Sequence, residues 1–294
     1  MPNLRDIRRK IEAVKKIGQI TRAMNMVAAA KLRGAQARVE SFRPYGEKYR
    51  EVIEELARGG MVLPAQFPLM ESREVKKVGV VLVTADRGLC GAFNSNLIKE
   101  AEKFMAERRG QGQEVKLICV GKKGYQYFKS RAEVLEAYTD IMGKVVMQDA
   151  RTVARRLMEA FLEGEIDEAY LIYGYFINVV RQVPKREKIL PISFEDEEGG
   201  EKEENGLRGA IIYEPSPEEL LDQILPMYVN TRIYAAMLET AVSEQAARMT
   251  AMDNANRACG DMVRELTLLF NKTRQASITK ELMDIVGGAE ALKG

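Results

Sequence analysis

The sequence predicts an α/β protein with a long antiparallel two-helix coiled coil, formed by the two ends of the chain, and a central domain with a mostly parallel sheet. Three observations predict it. Residues 1–60 and 215–290 repeat apolar side chains at helical steps, residues 75–195 alternate apolar strands with helices, and residues 195–206 are acidic without an apolar side chain. We therefore expect a helical arm at each end, a globular domain between them and a flexible acidic loop over 196–214.

The C-terminal segment predicts the coiled coil most directly. Its stripe advances by alternating steps of four and three residues over several heptads. A helix of this length reaches roughly 100 Å at 1.5 Å per residue, which is farther than a compact core extends. Gln245 and Asn256 lie on the stripe, where polar residues fix register. The stripe comprises Leu238, Val242, Gln245, Met249, Met252, Asn256, Cys259, Val263, Leu266 and Phe270.

The N-terminal segment supplies the partner helix. Asn3 is placed to cap its first turn, and Pro44 predicts a kink or an interruption near its end. Ile17 and Ile20 lie between two apolar stripes and break their rhythm, which predicts a local change of winding. The two stripes are Leu4, Ile7, Ile11 and Val14, and then Met24, Ala28, Leu32, Ala35, Val39 and Phe42.

Positive charge is concentrated on this first helix. The net charge of the whole chain is only +2, yet the cations between Leu4 and Arg33 face only two acids, Asp6 and Glu12. Two interpretations stay open: a solvated helix face, or a surface that meets an acidic protein, nucleic acid or lipid headgroups. The cations are Arg5, Arg8, Arg9, Lys10, Lys15, Lys16, Arg22, Lys31 and Arg33.

The central segment predicts strands and helices in alternation. Runs of β-branched residues, such as residues 78–83, are typical of strands that are buried on both faces. The alternation favours a Rossmann-like α/β domain. The predicted strands cover 78–83, 114–121 and 168–180, with an antiparallel partner at 185–192, and the predicted helices cover 96–110, 122–130 and 147–164.

The sequence contains no visible catalytic constellation. The absence of histidine excludes Ser-His-Asp and Cys-His catalysis and histidine metal sites. Cys90, Cys119 and Cys259 are far apart and indicate reduced thiols. The loop 86–91 follows a strand, where α/β folds bind nucleotides, but it lacks the spacing of a phosphate-binding motif, and a tight turn explains its glycines as well. We expect no catalytic residue, no cofactor and no metal.

The beginning of the chain and its hydropathy bear on location. The start MPNLRDIRRK is charged at once, and no run approaches the length of a membrane span. Composition, with 46% apolar and 30% charged residues, is ordinary. These features predict a soluble or peripheral protein without a signal or transit peptide.

Four strings carry a family resemblance: ITRAMNMVAAAKL (20–32), DRGLCGAFNSN (86–96), SEQAARMTAMDNANRACGDM (243–262) and LLFNKTRQASITKELMDIVGGAEAL (268–292). They closely resemble the gamma subunit of the rotary F-type ATP synthase, the central stalk of its F1 part, and the resemblance runs along essentially the whole chain. Asn25 stands where this family more often has a charged residue, and the acidic insertion lies where family length varies. The cysteine pair of plastid relatives is missing, so we expect no thiol switch.

The resemblance implies a rotor shaft without catalytic residues of its own. The shaft would couple ion flow through the membrane sector to ATP synthesis or hydrolysis at the ring of alpha and beta subunits, and would contribute to regulation of ATPase activity. The implied partners are the alpha and beta subunits, the epsilon subunit and the c-ring, with the delta subunit in the same complex and no nucleic acid. The implied location is peripheral, on the cytoplasmic side of a bacterial inner membrane.

The resemblance also implies which residues make contacts. Met24 and its basic neighbours would lie beside the acidic lever of the beta subunit, and Arg274, Gln275 and Thr279 match the contacts with its catch loop. The residues expected to pack within the rotor are Met249, Met252, Val263, Leu266 and Phe270.

Two other classes make different predictions. A nucleotide-binding α/β enzyme with helical extensions would bind or turn over ATP or NAD as an isolated chain. A nucleic-acid-binding coiled coil would use the basic first helix and would bind DNA with a steep salt dependence. Neither has a supporting motif in the sequence.

Overall fold

The computed structural model describes residues 3–58, 67–193 and 216–291. The predicted acidic loop at 196–214 lies outside the described residues. The chain forms two compact units, residues 1–30 with 248–294 and residues 31–247. The helices are α1 (Leu4–Arg58), α2 (Phe93–Gly110), α3 (Lys122–Phe128), α4 (Met147–Leu162) and α5 (Pro217–Ala291), and the strands are β1 (Lys77–Val83), β2 (Glu114–Val120), β3 (Glu133–Tyr138), β4 (Glu168–Phe176) and β5 (Gln182–Leu190).

The central unit is built on one five-stranded sheet in the order β3-β2-β1-β4-β5. Among the strands that the structure describes, β1 to β4 are parallel and β5 runs antiparallel, against β4. The mostly parallel sheet is therefore confirmed, together with the antiparallel partner of its last strand. β1 is buried along nearly its whole length because helices cover both faces of the sheet.

The two faces of the sheet carry separate apolar cores. On one face, Val81 and Val83 pack with α4 and with the first part of α5. On the other face, Val80 and Leu82 pack with α2 and α3. One strand thus feeds alternate side chains into two cores, as the period of two requires.

The ends of the long helices agree with the sequence. The side chain of Asn3 accepts the N–H of Arg5 at 3.0 Å, which caps α1, and Ser216 accepts the N–H of Glu219 at 3.2 Å at the start of α5. Pro44 does not interrupt α1, which continues to Arg58. The two terminal helices are therefore present, and the exact domain boundaries stay predictions.

In the unit formed by residues 1–30 and 248–294, α1 and α5 are antiparallel. The Asn25 amide donates to the Met249 carbonyl at 2.8 Å, whereas a Cβ at Gly18 would stand 3.4 Å from the Cβ of Cys259. A lower residue number on α1 thus pairs with a higher residue number on α5, as in an antiparallel coiled coil. We call the interface between α1 and α5 in this unit the seam.

The spacing of the seam residues on α1 does not change near Ile17 and Ile20. Gly18 and Thr21 hold the seam positions there, and the two isoleucines are 51% and 59% exposed. The prediction of a local change of winding was wrong, because it counted only large apolar side chains as seam residues. Gly18 lies opposite Cys259, and the Thr21 hydroxyl donates to the Gly18 carbonyl at 3.0 Å.

Strand β3 was not predicted. Its pairing with β2 shifts register between Val134 and Glu136, so that Leu135 is an extra residue in the strand. A bulge of this kind reverses the alternation of side chains partway along. The period-two signal is therefore absent from a six-residue edge strand.

Candidate partner-binding surface

The seam of the smaller unit, formed by residues 1–30 and 248–294, contains the residues predicted to pack within the rotor. Met252 is buried, and Met249 is half-buried beside Asn25. Farther along α5, Val263, Leu266 and Phe270 are half-buried at steps that continue the stripe. All five residues predicted to pack within the rotor therefore lie on the seam side of α5, although their role in a rotor stays a prediction.

Beyond the seam, α5 is exposed. Every residue from 278 to 290 is exposed, and the helix nevertheless carries large apolar side chains there. Ile278, Leu282, Ile285 and Val286 are spaced as one helical stripe, and they are 50%, 56%, 68% and 57% exposed. A contiguous apolar stripe left in water marks a surface for another molecule. We call residues 274–290 the tip.

The residues that are predicted to contact the catch loop of the beta subunit lie at the start of this tip. Arg274, Gln275 and Thr279 are all exposed, and the Thr279 hydroxyl donates to the Gln275 carbonyl of its own helix at 3.0 Å. Within the parts of the chain that the structure describes, no acidic side chain forms an ion pair with Arg274. The exposed guanidinium of Arg274 and the exposed amide of Gln275 thus lie about one helical turn before the apolar stripe, which begins at Ile278.

The first helix presents a second apolar surface that sequence reasoning missed. Ile17, Ile20 and Val27, at i, i+3 and i+10, are each more than half exposed, and Met24 lies half-buried among them. Their spacing on one helix face is visible in the sequence, and the structure shows that it marks an exposed surface and not a break in the coiled coil. Cations flank this face. Arg8 and Arg9 are paired within the helix with Glu12 and Asp6, and the other cations of this helix up to Lys16 are exposed, namely Arg5, Lys10, Lys15 and Lys16.

The loop 86–91 of the central unit is organised by a carboxylate. Asp86 accepts the backbone N–H groups of Lys122, Asp140 and Met142 at 2.8–2.9 Å, and so ties together the loops that follow β1, β2 and β3. Backbone donors at the carboxyl ends of strands are what a nucleotide phosphate would need. Here they are occupied by a negative side chain, which favours the tight-turn interpretation of the loop.

The three thiols have different surroundings. Cys119 is buried in β2, and burial raises the pKa of its thiol to about 12. Cys90 is buried and accepts the Asn94 amide at 3.2 Å, and Cys259 is half-buried in the seam. None is part of a disulfide.

Over residues 3–58, 67–193 and 216–291, cysteine and carboxylate side chains form no group of three or more that could hold a metal ion. None of the helices, over their described residues, combines the length and the apolar character needed to cross a membrane.

Comparisons with known proteins match the whole chain. A family model described as ATP synthase matches residues 3–292. The ATP synthase gamma chains of Desulfotalea psychrophila and Syntrophobacter fumaroxidans are 51% and 53% identical over 295 residues, and each alignment covers all of both chains.

Solved structures share the fold. A rotor chain of the Euglena gracilis mitochondrial ATP synthase is 22% identical with a TM-score of 0.64, and covers 94% of this chain and 98% of that chain. A chain of the Tetrahymena thermophila central stalk and c-ring is 24% identical with a TM-score of 0.60, and covers 80% and 99%. From the match over residues 3–292 and the full-length relatives, the chain belongs to the ATP synthase family, and within it to the gamma chains.

Proposed function

We propose that this chain is the rotor shaft of an F-type ATP synthase, coupling ion flow through a membrane sector to ATP synthesis or hydrolysis on a ring of alpha and beta subunits. The observation that carries the proposal is the tip, a single helix that keeps a stripe of four apolar side chains exposed beyond an antiparallel seam. A contiguous apolar surface that is left exposed in this way marks a site for a partner.

The mechanism follows from the asymmetry of a two-helix shaft. Its sides differ: one presents Ile17, Ile20 and Val27, and the tip presents Ile278 and its neighbours. Three catalytic sites around the shaft would each meet a different side at any moment. Contact free energies that differ between the sites would set three different nucleotide affinities, and rotation would exchange them.

Contacts with the ring combine two chemistries. Apolar side chains of the tip have no directional preference, so a surrounding sleeve can slide past them. Arg274 and Gln275 offer donors for charge-assisted hydrogen bonds to an acidic loop of the beta subunit, and Thr279 adds a hydroxyl. The exposed cations of α1 would meet the acidic lever beside Met24.

We further propose the remaining partners and the location. The Euglena gracilis assembly that contains a similar chain includes OSCP, F1 and a c-ring. By analogy, the central unit of this chain would contact a c-ring and an epsilon subunit, with a delta subunit in the same complex. The complex would lie on the cytoplasmic side of a bacterial inner membrane, where its contacts would also regulate ATPase activity.

The test is replacement of the polar pair at the base of the tip. The double variant Arg274→Ala, Gln275→Ala is assembled with alpha and beta subunits and reconstituted in vesicles. We expect reduced assembly or reduced ATP-driven ion uptake, because the beta loop loses its donors. The matched control is Arg109→Ala, Gln111→Ala, an arginine and a glutamine that are likewise exposed, at the end of α2. Wild-type uptake by the tip variant, or equal losses in the two double variants, would contradict the assigned contacts.

A further inference from the structure

The last part of β4 exchanges its strand partner for a helix. β4 pairs with β1 only as far as Ile172, whereas its pairing with β5 continues to Phe176. The backbone groups of Gly174 that point away from β5 therefore have no strand beside them. Pro184, which has no N–H, stands opposite Gly174 on β5, as expected where those groups are turned away.

Side chains of α5 take the place of β1 at this point. The Gly174 N–H donates to the Thr240 hydroxyl at 3.2 Å, and the Ser243 hydroxyl donates to the Gly174 carbonyl at 3.1 Å. Both polar groups of one strand residue are thus bonded to two hydroxyls that lie three residues apart on the helix. Thr240 and Ser243 are fully buried, so no water competes for these bonds.

A third side chain extends the pattern by one step of the strand. Glu239 accepts the N–H of Phe176 at 3.1 Å, and Arg43 of α1 lies 3.8 Å from the other oxygen of the same carboxylate. Residues 174 and 176 point to the same side of β4 because strand geometry repeats every two residues. Side chains from about one turn of α5 therefore bond the edge of β4 beyond Ile172, where its pairing with β1 ends.

Gly174 is required by the helix on the other side of the strand. A Cβ at position 174 would stand 2.7 Å from two ring atoms of Phe93 on α2, whereas its distance of 3.4 Å from the Cβ of Ser243 on α5 would be an ordinary contact. A side chain at position 174 would therefore push this part of β4 away from α2. The hydrogen bonds to Thr240 and Ser243 depend on distance and angle, so they constrain both the axial position of α5 and its rotation about its own axis.

We propose that Thr240, Ser243 and Glu239 form a joint that fixes α5 to the central sheet and carries torque between them. The proposal rests on the function as rotor shaft proposed above, and it adds the place where the shaft is fastened. The three residues are positioning residues: they touch no substrate, and they act by preventing α5 from turning on the sheet.

The experiment removes the hydroxyls and keeps the shape. The double variant Thr240→Val, Ser243→Ala is assembled with its partner subunits in vesicles, and ATP hydrolysis and ion uptake are measured together. We expect hydrolysis to continue with an ionophore present, whereas ion uptake against an established gradient is lost as the joint turns under load. Thr240→Ser keeps the hydroxyl and should retain uptake.

The matched control is Thr231→Val, the same change on the same helix at another buried position. Thr231 lies near Gly46 of α1 instead of β4, so this variant should couple as well as the wild type. If the double variant does not assemble, each single variant is measured by the same two rates.

A second measurement reports on the bonds themselves. Hydrogen exchange at the Gly174 amide in the assembled complex should rise by about tenfold in Thr240→Val, because its acceptor is removed. Unchanged exchange would overturn the joint, and so would raised exchange with uptake fully retained. A wild-type chain that gives no coupled uptake would instead contradict the proposed rotor function.

Discussion

The antiparallel seam of the smaller unit can be tested by one substitution, Gly18→Cys. A Cβ at position 18 would stand 3.4 Å from the Cβ of Cys259, close to the mean of about 3.8 Å found in disulfides. The native Cys259 is the partner, so no second substitution is needed. Mild oxidation should therefore join the two residues within one molecule.

The size of the effect follows from the length of chain that is closed. The bond would close a loop of roughly 240 residues, which in the chain-entropy treatment stabilises the folded state by about 5 kcal/mol before strain is subtracted. The distance at position 18 is slightly shorter than the mean, so the helices have to separate by a few tenths of an ångström. The expected gain is for that reason smaller than the entropic value.

The assay is mobility in a non-reducing gel, with the linked peptides identified by mass spectrometry and released by a reductant. Ile17→Cys is the control, because Ile17 lies one residue away but is 51% exposed, off the seam. We expect an intramolecular bond with Cys259 for position 18 and none for position 17. Equal yields at the two positions, or bonds only between molecules, would refute the antiparallel seam and the rotor function with it.

Three further predictions concern single groups. Asn25→Ala should lower the free energy of unfolding by about 1 kcal/mol, because the Met249 carbonyl loses its donor. Asn25→Asp should lower it by more, because a carboxylate then opposes that carbonyl. Urea unfolding measures both values, and equal losses would contradict the bond. Burial raises the pKa of Glu239 above its ordinary value of 4.5, against the lowering effect of the Phe176 N–H. The folded chain then holds this proton more tightly than the unfolded chain, so stability falls as pH rises from 4.5 through the raised pKa, and Glu239→Gln should remove that part of the pH dependence. Because burial raises the pKa of Cys119 to about 12, iodoacetamide at about pH 8 should alkylate it only after unfolding, and labelling of the folded chain would contradict its burial.

The long helices and the buried strands were predictable because their signals are periodic and local. β1 is a run of apolar residues with helices on both faces, and α5 repeats its stripe without a break. The exceptions have physical causes. Leu135 reverses the alternation of β3 as a bulge, and Gly18 and Thr21 serve as seam residues although neither is a large apolar side chain.

Some functional residues outside the fold signals could also be predicted from the sequence, and others could not. The polar residues at the base of the tip came from a resemblance between strings, and the structure places them on an open helix. The joint at Gly174 could not be found along the chain, because Ser243 read as one more small residue of a coiled coil. Its signal is three-dimensional: a glycine inside a strand, at the point where pairing with β1 ends, faces two hydroxyls on a helix.

The tip and the joint therefore differ in the kind of contact that they can make. At the tip, exposed apolar side chains gain free energy from any apolar surroundings, and this gain changes little as a partner slides past. At Gly174, the hydrogen bonds depend on distance and angle. Their free energy is therefore lost when the helix rotates slightly about its own axis. A shaft has to turn freely in its bearing and must not turn in its mounting. Non-directional contacts satisfy the first requirement and directional ones the second, which is why hydroxyls, and not larger apolar residues, suit the buried face at 240 and 243.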